Sequence, residues 1–118
     1  MKYEELAALG RHELERGLSS ADEGVVVLAL LRMALHESDW QWAEKRCLTS
    51  LKDNRRGVKT AAIQALGHLA RIHGQLTLPL VLSELRAIQL EPDFSGIAED
   101  TLDDIRAFVA QECDCENE

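Results

Sequence analysis

With 118 residues the chain has material for one domain with one core, and a composition that is 46 % hydrophobic but only 4 % aromatic, rich in Leu and Ala, favours helix over sheet. The net charge of -8 sits at one end: residues 1–83 carry 11 basic and 10 acidic side chains, residues 84–118 carry 2 and 11. Such an end repels nucleic acid and attracts a basic protein, so a protein partner is expected and a nucleic-acid ligand is not.

A first helix is predicted over 3–18, with Tyr3, Leu6, Ala7, Leu14 and Leu18 on its buried side and Gly10 and Gly17 weakening it. Ser19, Ser20 and Asp22 then supply cap-type residues. Residues 25–36 are apolar nearly all round. The β-branched start would suit a strand, but the run continues through Met33, Ala34 and Leu35 without a turn signal. This predicts a helix packed on two sides. Ser38 and Gln41 have capping-box spacing and open a helix over 39–52, with Trp40, Ala43, Cys47, Leu48 and Leu51 on one stripe. Trp42 lies about 200° round from Trp40, at about 100° per residue. One tryptophan is therefore core and the other sits on a flank. A flank tryptophan either covers a neighbouring helix or is offered to a partner.

Residues 51–69 carry the strongest signal. A turn with Asp53, Asn54 and Gly57 leads into a helix from Val58, whose Val58, Ala61, Ala62, Ala65, Leu66 and Leu69 form one 3.6-residue stripe. Ala61, Ala62, Ala65 and Gly67 let a second helix come close. Gly74 ends the element. Arg55, Arg56 and Lys59 at its start are short of a nucleic-acid stripe, and their place beside Asp53 favours an internal polar ladder. A fifth helix is capped by Thr77 and takes Pro79 in its first turn. It buries Leu78, Val81, Leu82, Leu85 and Ile88, and stops at Glu91 and Pro92. Asp93 or Ser95 caps a sixth helix reaching Gln111, with Ala98, Thr101, Leu102, Ile105, Phe108 and Val109 as its stripe. Residues 112–118 read as a frayed acidic tail.

Val25, Val58 and Ile97 each open the second helix of a pair, at intervals of 33 (58 − 25) and 39 (97 − 58) residues. That period suits a helical repeat. The expected fold is all-α, three antiparallel helix pairs in a single domain over 1–111. The 51–69 stretch also resembles the core of a HEAT-like repeat. Asp53, Val58, Lys59, Ala62, Ala65, Leu66, Gly67 and Leu69 fill that pattern, with Lys59 where Arg is usual. The resemblance implies a short α-solenoid.

No catalytic set emerges. His12, His36, His68 and His73 lie on different helices. His12 and Glu13 resemble the start of a zinc-peptidase motif, but position 16 is Arg, so the second ligand is missing. Cys113 and Cys115 are two thiols in an acidic tail, which is no closed metal site. No enzyme activity, cofactor or metal is expected. The N-terminus is unlike a signal peptide, and the apolar run 25–31 is far short of the about 20 residues that a membrane span needs. An odd cysteine count without framework spacing suits a reducing compartment, so a cytoplasmic location without membrane association is expected.

One charge arrangement points outward. Glu99 and Asp103 are spaced i,i+4, as are Asp100 and Asp104, and each like-charge pair costs a helix about 0.2–0.5 kcal/mol. Asp100, Asp103 and Asp104 share a face opposite the apolar stripe, with only Arg106 near enough to compensate. Uncompensated repulsion is expected where an external cation cluster docks. Small acidic helical-repeat proteins of this kind resemble the immunity proteins of bacterial toxin systems such as contact-dependent growth inhibition. The resemblance spans 38–109 and includes Trp40, Trp42 and Ala43, the Asp53 turn, and the helix from Ile97 through Ile105. It implies tight binding to one toxin domain, often a nuclease, with an RNA-cleaving one preferred and a DNA-cleaving one next. Charge and exposure nominate Asp39, Trp42, His68, Arg71, Glu99, Asp100, Asp103 and Asp104 for the partner. The competing reading is a HEAT-like scaffold or adaptor in a regulatory complex. The free chain is expected to be a monomer or weak dimer, the dimer resting on exposed Trp42 or Met33.

Overall fold

The computed structural model describes residues 10–109. The expectations for Tyr3, Leu6 and Ala7, for the helix end at Gln111, and for the tail with Cys113 and Cys115 lie outside the described residues. Within them the chain is all-α: α1 Arg11–Leu18, α2 Glu23–His36, α3 Trp40–Ser50, α4 Arg56–His73, α5 Leu78–Gln89 and α6 Ser95–Phe108.

Local chemistry sets the boundaries. Gly10 is the N-cap of α1 and not an interior residue, and its N–H donates to Glu13 Oε1 at 3.2 Å. Asp22 caps α2, accepting from the N–H of Gly24 at 2.9 Å and of Val25 at 3.4 Å. Its carboxylate also favours the positive end of the helix dipole. The strand alternative for 25–27 fails because Val26, Ala29, Leu30, Met33 and Ala34 recur at helical spacing and are all buried. Asp39, not Ser38, caps α3, accepting from Trp42 N–H at 3.1 Å. Gly74 closes α4 in the left-handed region at φ 66°, where a Cβ would be strained. Neither Asp93 nor Ser95 caps α6; the N-cap position is Phe94, which is buried and makes no side-chain cap.

The helices pair as α1 with α2, α3 with α4, and α5 with α6, and the most extensive contacts join α2 to α4 and α4 to α6. Several polar links join the second pair to the third, most of them at nearly the same separation along the chain. Lys52 Nζ reaches Glu84 at 32 residues' distance along the chain, and Lys59 Nζ reaches Glu91 at 32. Arg71 reaches Asp104 at 33, and Thr77 N–H reaches Glu44 at 33. Thr101 Oγ1 donates to Ile63 O at 38. The positions paired between α4 and α6 rise together, from Ile63 with Thr101 to Arg71 with Asp104, so these two helices run parallel.

Helix α4 is the centre of the core. Val58, Ala62, Ile63, Ala65, Leu66, Gly67, Leu69 and Ala70 are all buried. Each large aliphatic among them contributes about 1.5–3 kcal/mol by leaving water. Several sequence expectations shift here. Met33 is 0 % exposed, so it supplies nothing to a dimer. Phe108 belongs to the expected stripe of α6 but is 50 % exposed, because the helix ends there and Val109 turns inward instead. Both tryptophans are half-buried, and it is Trp42, not Trp40, that packs against the core cluster.

Candidate partner-binding face

The eight nominated residues fall in two places. Asp39 and Trp42 sit at the start of α3, facing α1. Arg11 bridges there to Glu37 at 3.1 Å and to Asp39 at 3.2 Å, and lies 4.4 Å above the Trp42 ring centre. The Trp42 N–H, and after it Arg11, hold the Asp39 carboxyl below the usual range. Glu37 and then Asp39 raise the Arg11 guanidinium. Both carboxylates of this cluster already share Arg11: Asp39 works as a helix cap, and Trp42 as a lid over the core beneath a cation. Sequence reasoning missed Arg11, which no periodicity links to residue 39.

His68, Arg71, Asp100 and Asp104 come together where α4 meets α6, while Glu99 and Asp103 lie on α6 beside them but are not joined to α4. Arg71 Nη1 donates to Asp104 Oδ2 at 2.6 Å, and Arg71 Nη2 lies 2.6 Å from His68 Nδ1. A guanidinium only donates, so Nδ1 of His68 is the acceptor and its proton sits on Nε2. Burial, and then the Arg71 charge, hold the His68 imidazole below its usual range, with Asp104 pulling the other way. His68 is therefore neutral at physiological pH. Asp103 pairs with Arg106 at 2.7 Å. The expectation that Arg106 alone compensates this face is thus corrected, because Asp104 is paired across to α4. Glu99 and Asp100 have no hydrogen-bond or ion-pair partner among the described residues.

Of these, His68, Arg71, Asp100 and Asp104 border a groove of about 320 Å³, whereas Glu99 and Asp103 lie outside it. Gln64, His68 and Arg71 form the α4 wall, and Ile97, Asp100 and Asp104 the α6 wall. Thr101 lies at its base, 3 % exposed and bonded to the Ile63 carbonyl at 3.2 Å. Gly67 lets the helices close, since a Cβ there would stand 3.2 Å from Asp104 Oδ2. A smaller notch of about 110 Å³ adjoins it between α2 and α4, lined by Val27, Leu31, Ala61 and Ala65. Gln64 and His68 border both hollows. Gln64 was missed from sequence, although Gln64, His68 and Arg71 at i, i+4 and i+7 mark one polar stripe on α4.

The basic run at the start of α4 is consumed internally. Arg55 holds Asp53 through Nη2 at 2.9 Å and reaches the carbonyls of Ser20 at 3.3 Å and Ala21 at 3.2 Å. Its side-chain bonds, then its own N–H, draw the Asp53 carboxyl down to about 2. Arg56 pairs with Asp93 at 3.2 Å, and Lys59 with Glu91 at 3.1 Å above the Phe94 ring. The ladder therefore reaches into the next pair, which the Asp53-centred reading did not foresee. Among the described residues no group of three or more His, Cys, Asp or Glu is placed to hold a metal ion. None of their helices is long and apolar enough to cross a membrane.

No family model matches the chain, and no curated protein does. Among solved structures, the chain is similar to one in the crystal structure of a CDI complex from Cupriavidus taiwanensis LMG 19424. The TM-score is 0.77 at 29 % sequence identity, over 86 % of this chain and 90 % of that one.

Proposed function

We propose that this chain is an immunity protein of a contact-dependent growth inhibition system, which binds and neutralises a cognate toxin domain. The observation that carries the reading is the 29 % identical likeness, over 86 % of the chain, to a component of a CDI complex. The outer face of α4 and α6 supplies the docking chemistry. Its Glu99 and Asp100 lack an internal cation among the described residues, so the face suits a basic protein. A nuclease needs a basic groove for its phosphates, and an acidic helical surface can cover such a groove. We favour an RNA-cleaving toxin, followed by a DNA-cleaving one. In this reading the protein has no catalytic role, acts in the cytoplasm, and uses its three helix pairs as a short HEAT-like stack. The parallel α4 and α6 and the 32- to 33-residue links between the second and third pairs support that description of the scaffold.

The test is affinity capture of the tagged protein from its native host in about 0.15 M salt, near physiological screening, followed by mass spectrometry. The expected result is one stoichiometric basic domain that is lethal when expressed without this chain. Recovery of several chains of one assembly, with no toxic member, would replace the reading with that of a scaffold.

A further inference from the structure

The groove and the notch are adjacent, share Gln64 and His68, and differ in chemistry. The groove holds Asp100, Asp104 and Arg71, and with His68 neutral these leave one uncompensated negative charge. Arg71 demonstrates that a guanidinium fits here, since it already contacts Asp104 through one oxygen at 2.6 Å. Asp100 stands one helical turn before Asp104 and has no partner among the described residues. The notch is apolar apart from the two shared side chains. With the His68 Nδ1 occupied by Arg71, its Nε2–H is the donor left for an incoming group.

We propose that the outer face of α2, α4 and α6 is the docking surface for an arginine flanked by an aliphatic residue on the partner protein. The arginine enters the groove and bridges Asp100 and the free oxygen of Asp104. The planar fork of a guanidinium suits two carboxylates better than an ammonium does. The aliphatic side chain fills the notch against Val27, Leu31 and Ala61, and His68 stands between the two. The site takes one cation, because a second would meet Arg71 with no carboxylate to offset it. This rests on the toxin-binding reading only for the identity of the protein that carries the pair.

The first test needs no partner. N-acetyl-leucyl-arginine amide is titrated into the full-length protein and followed by amide chemical shifts, with N-acetyl-leucyl-glutamine amide as control. The expected result is saturable shifts confined to the residues around the groove and notch, seen with the arginine peptide and abolished in Asp100→Asn. Glu99→Gln removes the same charge outside the groove and is expected to leave the shifts in place. Neither side chain has an internal partner among the described residues, so both variants keep the fold, which circular dichroism checks. The same pair is then measured against the domain recovered by affinity capture. Asp100→Asn is expected to raise Kd by about tenfold or more and Glu99→Gln by about twofold or less, as for a close charge pair against a rim charge. Ala61→Leu, which fills the notch, is expected to weaken binding as well. Shifts spread over all acidic residues, equal shifts with the glutamine peptide, or equal Kd effects of the two charge variants overturn the proposal. Localised shifts without any toxic partner would refute the immunity reading and leave the site; a toxic partner indifferent to Asp100 would do the reverse.

Discussion

Replacing Glu44 by alanine is expected to loosen the attachment of the third helix pair. Glu44 is 5 % exposed, and its Oε1 accepts the Thr77 backbone N–H at 2.7 Å. Thr77 is the N-cap of α5 and makes no side-chain cap of its own, so this terminus relies on a carboxylate from α3. Alanine leaves that N–H without its acceptor. A hydrogen bond to a charged group contributes about 1.5–3 kcal/mol net, and an orphaned buried donor costs about 1–3 kcal/mol. These describe the same loss and are not summed. Relief of the carboxylate's own desolvation returns part of it. We expect a net loss of about 2 kcal/mol for Glu44→Ala, and about 0.5–1 kcal/mol for Glu44→Gln, whose amide oxygen still accepts. At about 4 °C per kcal/mol for a domain of this size, the alanine variant melts about 8 °C lower. Urea unfolding followed by the fluorescence of Trp40 and Trp42 gives the free energies. A Glu44→Ala protein as stable as the parent, or a glutamine variant as damaged as the alanine one, would refute the reasoning.

Two further outcomes follow from the same geometry. Asp53 has its carboxyl lowered from 3.8 to about 2, so its contribution is fully present above pH 3.8 and is lost as pH falls toward 2. With solvent screening that contribution is about 1 kcal/mol. Asp53→Asn is expected to lower the melting temperature at pH 7 and to flatten the acid limb of a stability profile between pH 4 and 2. Cys47 is fully buried, and burial pushes its thiol well up. Peptide mapping after iodoacetamide treatment is expected to find Cys47 unmodified in the native protein and alkylated in urea; native modification would show that α3 opens readily.

Most helices were legible from a 3.6-residue stripe, that over 25–36 from an apolar run without a turn signal, and the pairing because Val25, Val58 and Ile97 recur. Cap identities were less so. Ser38 and Gln41 have ideal capping-box spacing, yet Asp39 wins, since its carboxylate reaches Trp42 N–H while also meeting Arg11. The tryptophans divided wrongly for a related reason: a stripe says which side of a helix is apolar, not which neighbour lies over it. The acidic face of α6 was visible, but its repulsion was overestimated. The cation that relieves Asp104 is Arg71, 33 residues away on α4, and i,i+4 reasoning does not look across helices. The groove needed both helices at once, so no single-helix pattern could delimit it.

Under the proposed docking role, the two sides of α4 answer to different selective demands. Gln64, His68 and Arg71 look outward, whereas Ile63, Leu66, Leu69 and Ala70 are 0 % exposed between the neighbouring helices. The outward positions interleave with the inward ones along the sequence. In that role, diversifying selection by a changing partner would act on positions 64, 68 and 71, while the buried positions hold the scaffold constant. Lineages of this protein should accordingly drift fastest on one stripe of their most deeply anchored helix.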